Sequence, residues 1–162
     1  MLCMIIKRVS GLEFMSILRP VFDEIGISEE AFCVETPCGH EWGGSGVCLT
    51  AHEFMKFACL MTSYGVYEGK ALLPEKYLRE ATIKQIDNST DSTSPDAEVG
   101  YGYQFWMSPY DGAYRADGAY GQITTVLPKQ GLVVAVQCPE SGDFDNVMRP
   151  ALHEHLFGPL TA

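Results

Sequence analysis

Residues 87–98, Asp-Asn-Ser-Thr-Asp-Ser-Thr-Ser-Pro-Asp-Ala-Glu, are almost wholly polar and separate two differently patterned parts of the chain. Before them, apolar residues recur at helical spacing; after them come short runs rich in aromatic and β-branched residues. Helices followed by strands place the chain in the α+β class. The expected architecture is a helical part over 1–95, then a three-stranded antiparallel sheet and a C-terminal helix over 96–162.

In the first part, Leu2, Ile5, Ile6 and Val9 repeat at i, i+3, i+4, i+7 and predict a helix. No Ser, Thr, Asp or Asn precedes it to satisfy its first amides, so the chain reads as cut at its N-terminus. Ser10-Gly-Leu-Glu13 has the capping-box pattern and should open a second helix. Its stripe is Phe14, Ile17, Leu18, Val21, Phe22 and Ile25, kinked at Pro20 and ended by Gly26. Residues 27–46 lack periodicity, and Thr36-Pro-Cys-Gly39 and Gly43-Gly-Ser-Gly46 mark them as loop. Thr50-Ala-His-Glu53 is a second capping box, leading into the face Phe54, Phe57, Ala58, Met61 and stopping near Tyr64-Gly65. Pro74 begins a further helix over 75–84.

Beyond the polar stretch, Tyr101-Gly-Tyr-Gln-Phe-Trp106 is strand-like. Ile123–Leu127 and Leu132–Val136 are joined by a hairpin turn at Pro128-Lys-Gln-Gly131. The last helix should carry Phe144, Val147, Met148, Ala151, Leu152 and Leu156 on its apolar face. Tyr110-Asp-Gly-Ala-Tyr114 and Tyr120 fall in a Gly-rich loop, where they line a pocket or brace the sheet edge.

Twenty-one acidic against 11 basic residues give a net charge of −10, which leaves no basic face for nucleic acid. No apolar run approaches the roughly 18–20 residues of a spanning helix. The apolar start has neither a basic region nor a cleavage site, so no signal peptide is read and the expected location is the cytoplasm. Of the six cysteines, Cys3, Cys48 and Cys59 read as small core hydrophobes. Cys33 and Cys38, near His40, lack zinc spacing and read as a loop disulfide or two free thiols. His153 and His155 point to different helix faces and cannot share a metal. His52 reads as a surface residue, and Asp23-Glu24 and Glu29-Glu30 as solvated faces. Neither a metal nor a cofactor is expected. No serine has a lysine three residues on, and Ser45 more simply shapes the start of the helix that follows it. Asn88-Ser-Thr90 is formally a glycosylation acceptor but reads as polar loop.

The order of these pieces carries a resemblance. Val9-Ser-Gly11 leading to Phe22-Asp-Glu-Ile-Gly-Ile27, Gly43-Gly-Ser-Gly-Val-Cys-Leu-Thr-Ala51 before Glu53-Phe-Met-Lys-Phe57, Gly69-Lys-Ala-Leu-Leu-Pro74, Tyr101–Trp106, Asp117-Gly-Ala-Tyr-Gly-Gln122 and Val126-Leu-Pro128 follow one another at family spacing. Together they resemble the C-terminal half of a serine hydrolase of the class C beta-lactamase, penicillin-binding-protein and esterase superfamily. The resemblance implies a partial beta-lactamase-like fold and acyl-transfer hydrolysis of an ester, amide or β-lactam. That family uses a Ser-x-x-Lys nucleophile and a Tyr-x-Asn motif, both of which would lie upstream of Met1. Alone, the chain is expected to be inactive.

Aligned on Gly118, the family's third motif falls at Ala116-Asp117-Gly118, with Ala116 where the family places a cation. This departure points towards an ester or amide rather than a β-lactam. The Ala119 backbone amide corresponds to an oxyanion donor. Tyr114, Asp117 and Gln122 would flank the cleft, each equally able to be a structural loop residue. The expected partners are a small ester, amide or peptide substrate and either a second copy or a missing N-terminal half. An unpaired apolar edge at 132–138 favours such association. The alternative is a non-catalytic binding module that keeps the cleft wall.

Overall fold

The computed structural model describes residues 1–88, 96–138 and 144–161. The division expected at 95 and Ser89-Thr90 of the glycosylation pattern therefore lie outside the described residues. The chain separates into two compact units, Met1–Phe57 and Ala58–Ala162.

In the first unit, α1 (Leu2–Ser10) ends at Gly11, whose left-handed φ of 75° turns its N–H back to Lys7 O. Ser10 is the last residue of α1. Its hydroxyl donates to Ile6 O and accepts from Leu12 N, so the capping box expected with Glu13 does not form. Glu13 pairs with Lys7 instead. The stripe of α1 is not buried: Leu2, Ile5 and Val9 are exposed. α2 (Phe14–Glu24) runs through Pro20. Gly26, at φ 68°, ends it by letting Ile27 N–H reach Phe22 O at 2.8 Å.

Within the loop expected over 27–46 lies β1 (Phe32–Cys33), which pairs antiparallel with β2 (Val47–Cys48) just beyond it. α3 (Ala51–Thr62) starts at a capping box that does form. Thr50 N donates to Glu53 Oε2 at 2.9 Å, and Glu53 N to Thr50 Oγ1 at 3.2 Å. Glu53 Oε1 also accepts from Ser28 N at 2.8 Å, tying the α2–β1 connection to the helix start.

In the second unit, β3 (Val66–Tyr67) and β4 (Lys70–Ala71) form a hairpin whose turn residues Glu68 and Gly69 both have positive φ. α4 (Glu75–Ala81) follows Pro74 and stops short of the expected 84, where the Thr82 hydroxyl donates to Leu78 O at 2.8 Å. Cys59, expected inside, is exposed.

The sheet has four strands rather than three. β5 (Trp106–Met107), β6 (Tyr114–Gly118), β7 (Gln122–Leu127) and β8 (Leu132–Gln137) lie in the order β5-β6-β7-β8, antiparallel throughout. β6 occupies part of the stretch read as loop. Residues 101–105 are not strand, because Gln104 is left-handed at φ 66° and Gly102 N–H closes on Phe105 O at 2.7 Å. That reversal folds Tyr101 back onto Trp106, with their rings edge to face at 4.8 Å.

Leu127, Ala113 and Phe157 form a buried cluster between the sheet and the C-terminal helix. That helix, 144–161, contains two π-helical stretches, Phe144–Met148 and His153–Phe157, on either side of an α-helical Arg149–Leu152. The wider turns change the phase of its inward face. Phe144 and Phe157 are buried, whereas Val147 and Met148, expected inside, are exposed.

Candidate functional site

Successive side chains of a strand point to opposite faces. In β6, Tyr114, Ala116 and Gly118 share one face and Arg115 and Asp117 the other. The strand runs into the turn Ala119-Tyr120-Gly121 and returns as β7, with Gly118 paired to Gln122. Tyr120 and Gly121 have φ of 65° and 72°. A Cβ on Gly121 would lie 2.7 Å from Cys138 Cβ and 2.8 Å from Phe144 Cβ. Backbone conformation and space both demand glycine there, and this pins the turn beside the start of the C-terminal helix.

Gly118, Ala119 and Gln122 come together, exposed, at this hairpin tip. Tyr114 lies at the other end of β6, about 13 Å along the strand, and is buried. Ala116 is half-buried between them, and Asp117 turns its carboxylate to the opposite face.

That opposite face holds a charge cluster. Arg149 Nη1 donates to Asp96 Oδ2 at 2.7 Å and to Asp117 Oδ2 at 3.1 Å. Arg115 Nε donates to Asp117 Oδ2 at 3.0 Å, and its Nη1 to Met107 O. Asp145 reaches Arg149 Nε at 3.1 Å. The Asp96 and Arg115 side chains are only 5% exposed, so two carboxylates and two guanidiniums offset one another where either charge alone is costly. Burial opposes ionisation of Asp96, yet His153, Arg115 and Arg149 together hold its carboxyl below the usual carboxylate range. Burial also works against the Arg149 charge, but Asp117 and Asp96 outweigh it and raise its pKa. Arg115 does not replace the cation absent at Ala116. It points to the other face and is committed to Asp117 and Asp96.

A hydrogen-bonded chain extends from the cluster. His153 Nε2 lies 3.2 Å from Asp96 Oδ2, and His153 Nδ1 lies 2.7 Å from Tyr110 Oη. The Tyr110 and His153 rings are stacked, with centroids 5.6 Å apart, and Phe157 closes on both edge-on. Burial, then Asp96, raises the Tyr110 hydroxyl pKa, so Tyr110 is a held phenol and not a poised nucleophile. Sequence reasoning missed this chain. The available signal was that Asp145, Arg149 and His153 recur four apart on one helix. Ser45 sits in a tight turn, where both Ser45 N and Gly46 N donate to Trp42 O. Cys3, Cys33, Cys38, Cys48 and Cys59 are free thiols, and among the described residues no three His, Cys, Asp or Glu side chains gather to hold a metal.

The Beta-lactamase family model matches residues 11–156. The chain belongs to the beta-lactamase family. A solved structure of a candidate 6-aminohexanoate-dimer hydrolase from Bacillus anthracis is similar to it, with a TM-score of 0.73 and 23% identity. The match covers 94% of this chain and 41% of that one, so the chain spans about two-fifths of that neighbour's length. No curated protein matches. Both the hairpin tip and the charge cluster of this beta-lactamase-family chain lie within the matched span. The family match and the α+β fold agree with the resemblance carried by the ordered motifs.

Proposed function

We propose that this chain supplies one wall of the acyl-transfer centre of a beta-lactamase-related serine hydrolase, and that residues 1–162 alone do not turn substrate over. The observation that carries the reading is a combination. The hairpin tip is built and pinned, yet no serine of the chain has a lysine three residues on and no Tyr-x-Asn occurs. In this reading the Ala119 amide donates to the developing oxyanion, and Gly118 and Gln122 flank it. Asp117, held by Arg115 and Arg149, positions the strand. The nucleophile comes from residues outside these 162.

Ala116 supports an ester or amide substrate, because the position offers no charge for the carboxylate of a β-lactam. The neighbour's named substrate, a dimer of 6-aminohexanoate, is an amide to try. A small substrate, not a nucleic acid, suits a net charge of −10. The proposal also includes self-association along β8, the last strand of the sheet among the described residues. A monodisperse monomer in sedimentation velocity counts against that part.

The test uses p-nitrophenyl acetate, nitrocefin and the 6-aminohexanoate dimer. The expected result is no turnover by the chain alone, and turnover of the ester or amide once a segment bearing Ser-x-x-Lys and Tyr-x-Asn is added. Turnover by residues 1–162 alone overturns the reading. The absence of a cation at Ala116 also favours a second reading, a non-catalytic binding module. Saturable ester binding without turnover in both conditions would establish that reading instead.

A further inference from the structure

A cavity of about 380 Å³ opens between the end of α4 and the segment leading into β6. It lies at the end of β6 away from Ala119, and it is independent of the hydrolytic reading. Tyr64, Tyr110 and Tyr114 supply its aromatic walls, with Met107 beside them, and Arg79 and Lys84 also line it. No Asp or Glu is among the described residues that line it, although acids outnumber bases in the chain by 21 to 11.

Two features mark the cavity as more than a packing gap. Tyr114 is 2% exposed, and its hydroxyl has no hydrogen-bond partner among the described residues. A buried hydroxyl left unpaired is costly, and such groups usually meet a ligand or water. Burial, with Tyr64 nearby, holds that hydroxyl protonated, so it offers a donor. The Arg79 guanidinium lies over the Tyr64 ring, 3.8 Å from its centroid, while Glu75 fixes it at 2.7 Å. Lys84 is likewise steadied by Asp87. Both cations are thus held in place by an acidic neighbour, and they share the cavity lining with Tyr64, Tyr110 and Tyr114.

We propose that this cavity binds a flat aromatic carboxylate bearing a second polar atom at its far end. The carboxylate faces Arg79 and Lys84, the ring lies among Tyr64, Tyr110 and Met107, and the far polar atom accepts from Tyr114 Oη. The volume falls within the range of small-molecule sites, and guanidinium suits a carboxylate better than any other cation does.

The test measures binding of three probes to the full chain by calorimetry. 4-Hydroxybenzoate has all the required groups, benzoate lacks the far hydroxyl, and 4-hydroxybenzamide lacks the charge. The expected order places 4-hydroxybenzoate tightest and benzoate about fivefold weaker, as for loss of one neutral hydrogen bond. Tyr114→Phe should erase the difference between 4-hydroxybenzoate and benzoate. Arg79→Gln, a substitution on the surface, should weaken both carboxylates and leave the amide unchanged. Absence of saturable binding, equal binding of all three probes, or selectivity unchanged in Tyr114→Phe overturns the proposal and leaves the hydroxyl to a water molecule. Should Tyr114→Phe fail to fold, Arg79→Gln decides alone: equal losses for carboxylate and amide overturn the proposal.

Discussion

The unit Met1–Phe57 buries Phe22, Ile25, Ile27 and Ala31, while Leu2, Ile5, Val9, Phe32 and Trp42 remain exposed. Ala58–Ala162 instead buries Leu60, Leu78, Tyr114, Val126, Leu127, Phe144 and Phe157, and adds the Asp96–Arg115–Asp117–Arg149 cluster. The first unit is specified largely at its helix ends, through Gly11, Gly26 and the Thr50–Glu53 box. The second is specified by sheet register, apolar burial and paired charge. Each mode fails differently. Helix-end bonds are lost one at a time at small cost, whereas a buried ion cluster or a filled core fails as a unit.

Removing Arg149 should have the largest effect on stability, and it should fall on the second unit. Arg149→Met leaves Asp96 and Asp117 short of a partner and should cost about 3–5 kcal/mol, measured by urea unfolding. Hydrogen-exchange protection should fall across β6, β7 and the C-terminal helix. Leu127→Ala is expected to cost about 2–5 kcal/mol, because the side chain is fully buried. Together these substitutions separate charge pairing from apolar burial.

Acid sharpens the same contrast. The Asp96 pKa is lowered in the folded state, so its contribution is present above the unfolded carboxylate value of about 3.9. It is lost as pH falls through the lower folded value. Stability should therefore drop below about pH 4, and Asp96→Asn should flatten that step while lowering stability at neutral pH. Thr50→Ala belongs to the first unit and should cost only about 1 kcal/mol, with protection lost at the start of α3 and not in the sheet. Val9→Ser should change stability by less than about 0.5 kcal/mol, since Val9 is exposed.

Legibility in the sequence followed the same division of physical causes. Periodicity and punctuation sufficed for α2 with its Gly26 stop, for the Thr50–Glu53 box, and for the β7–β8 hairpin. The order of short motifs was enough to resemble a family whose model matches residues 11–156. β6 was hidden because Arg115 and Asp117 interrupt its apolar pattern, and Arg149, which neutralises Asp117, lies on a helix about 30 residues later. Likewise, the Tyr110–His153–Asp96 chain joins three distant segments, and local pattern is blind to such partners. The π-helical stretches moved Val147 and Met148 outward, because the expected face assumed an unbroken α-helical period. Of the expected site residues, Gly118, Ala119 and Gln122 share the hairpin tip. Spacing alone did not reveal that Tyr114 is remote from them or that Asp117 faces away.

Under the proposed function, the acyl-transfer nucleophile lies outside these 162 residues. Intact-mass spectrometry after incubation with a fluorophosphonate probe tests it most directly. The expected result is an unmodified mass. A single stoichiometric adduct would contradict the claim, and peptide mapping would show whether Ser45 or another serine carries it.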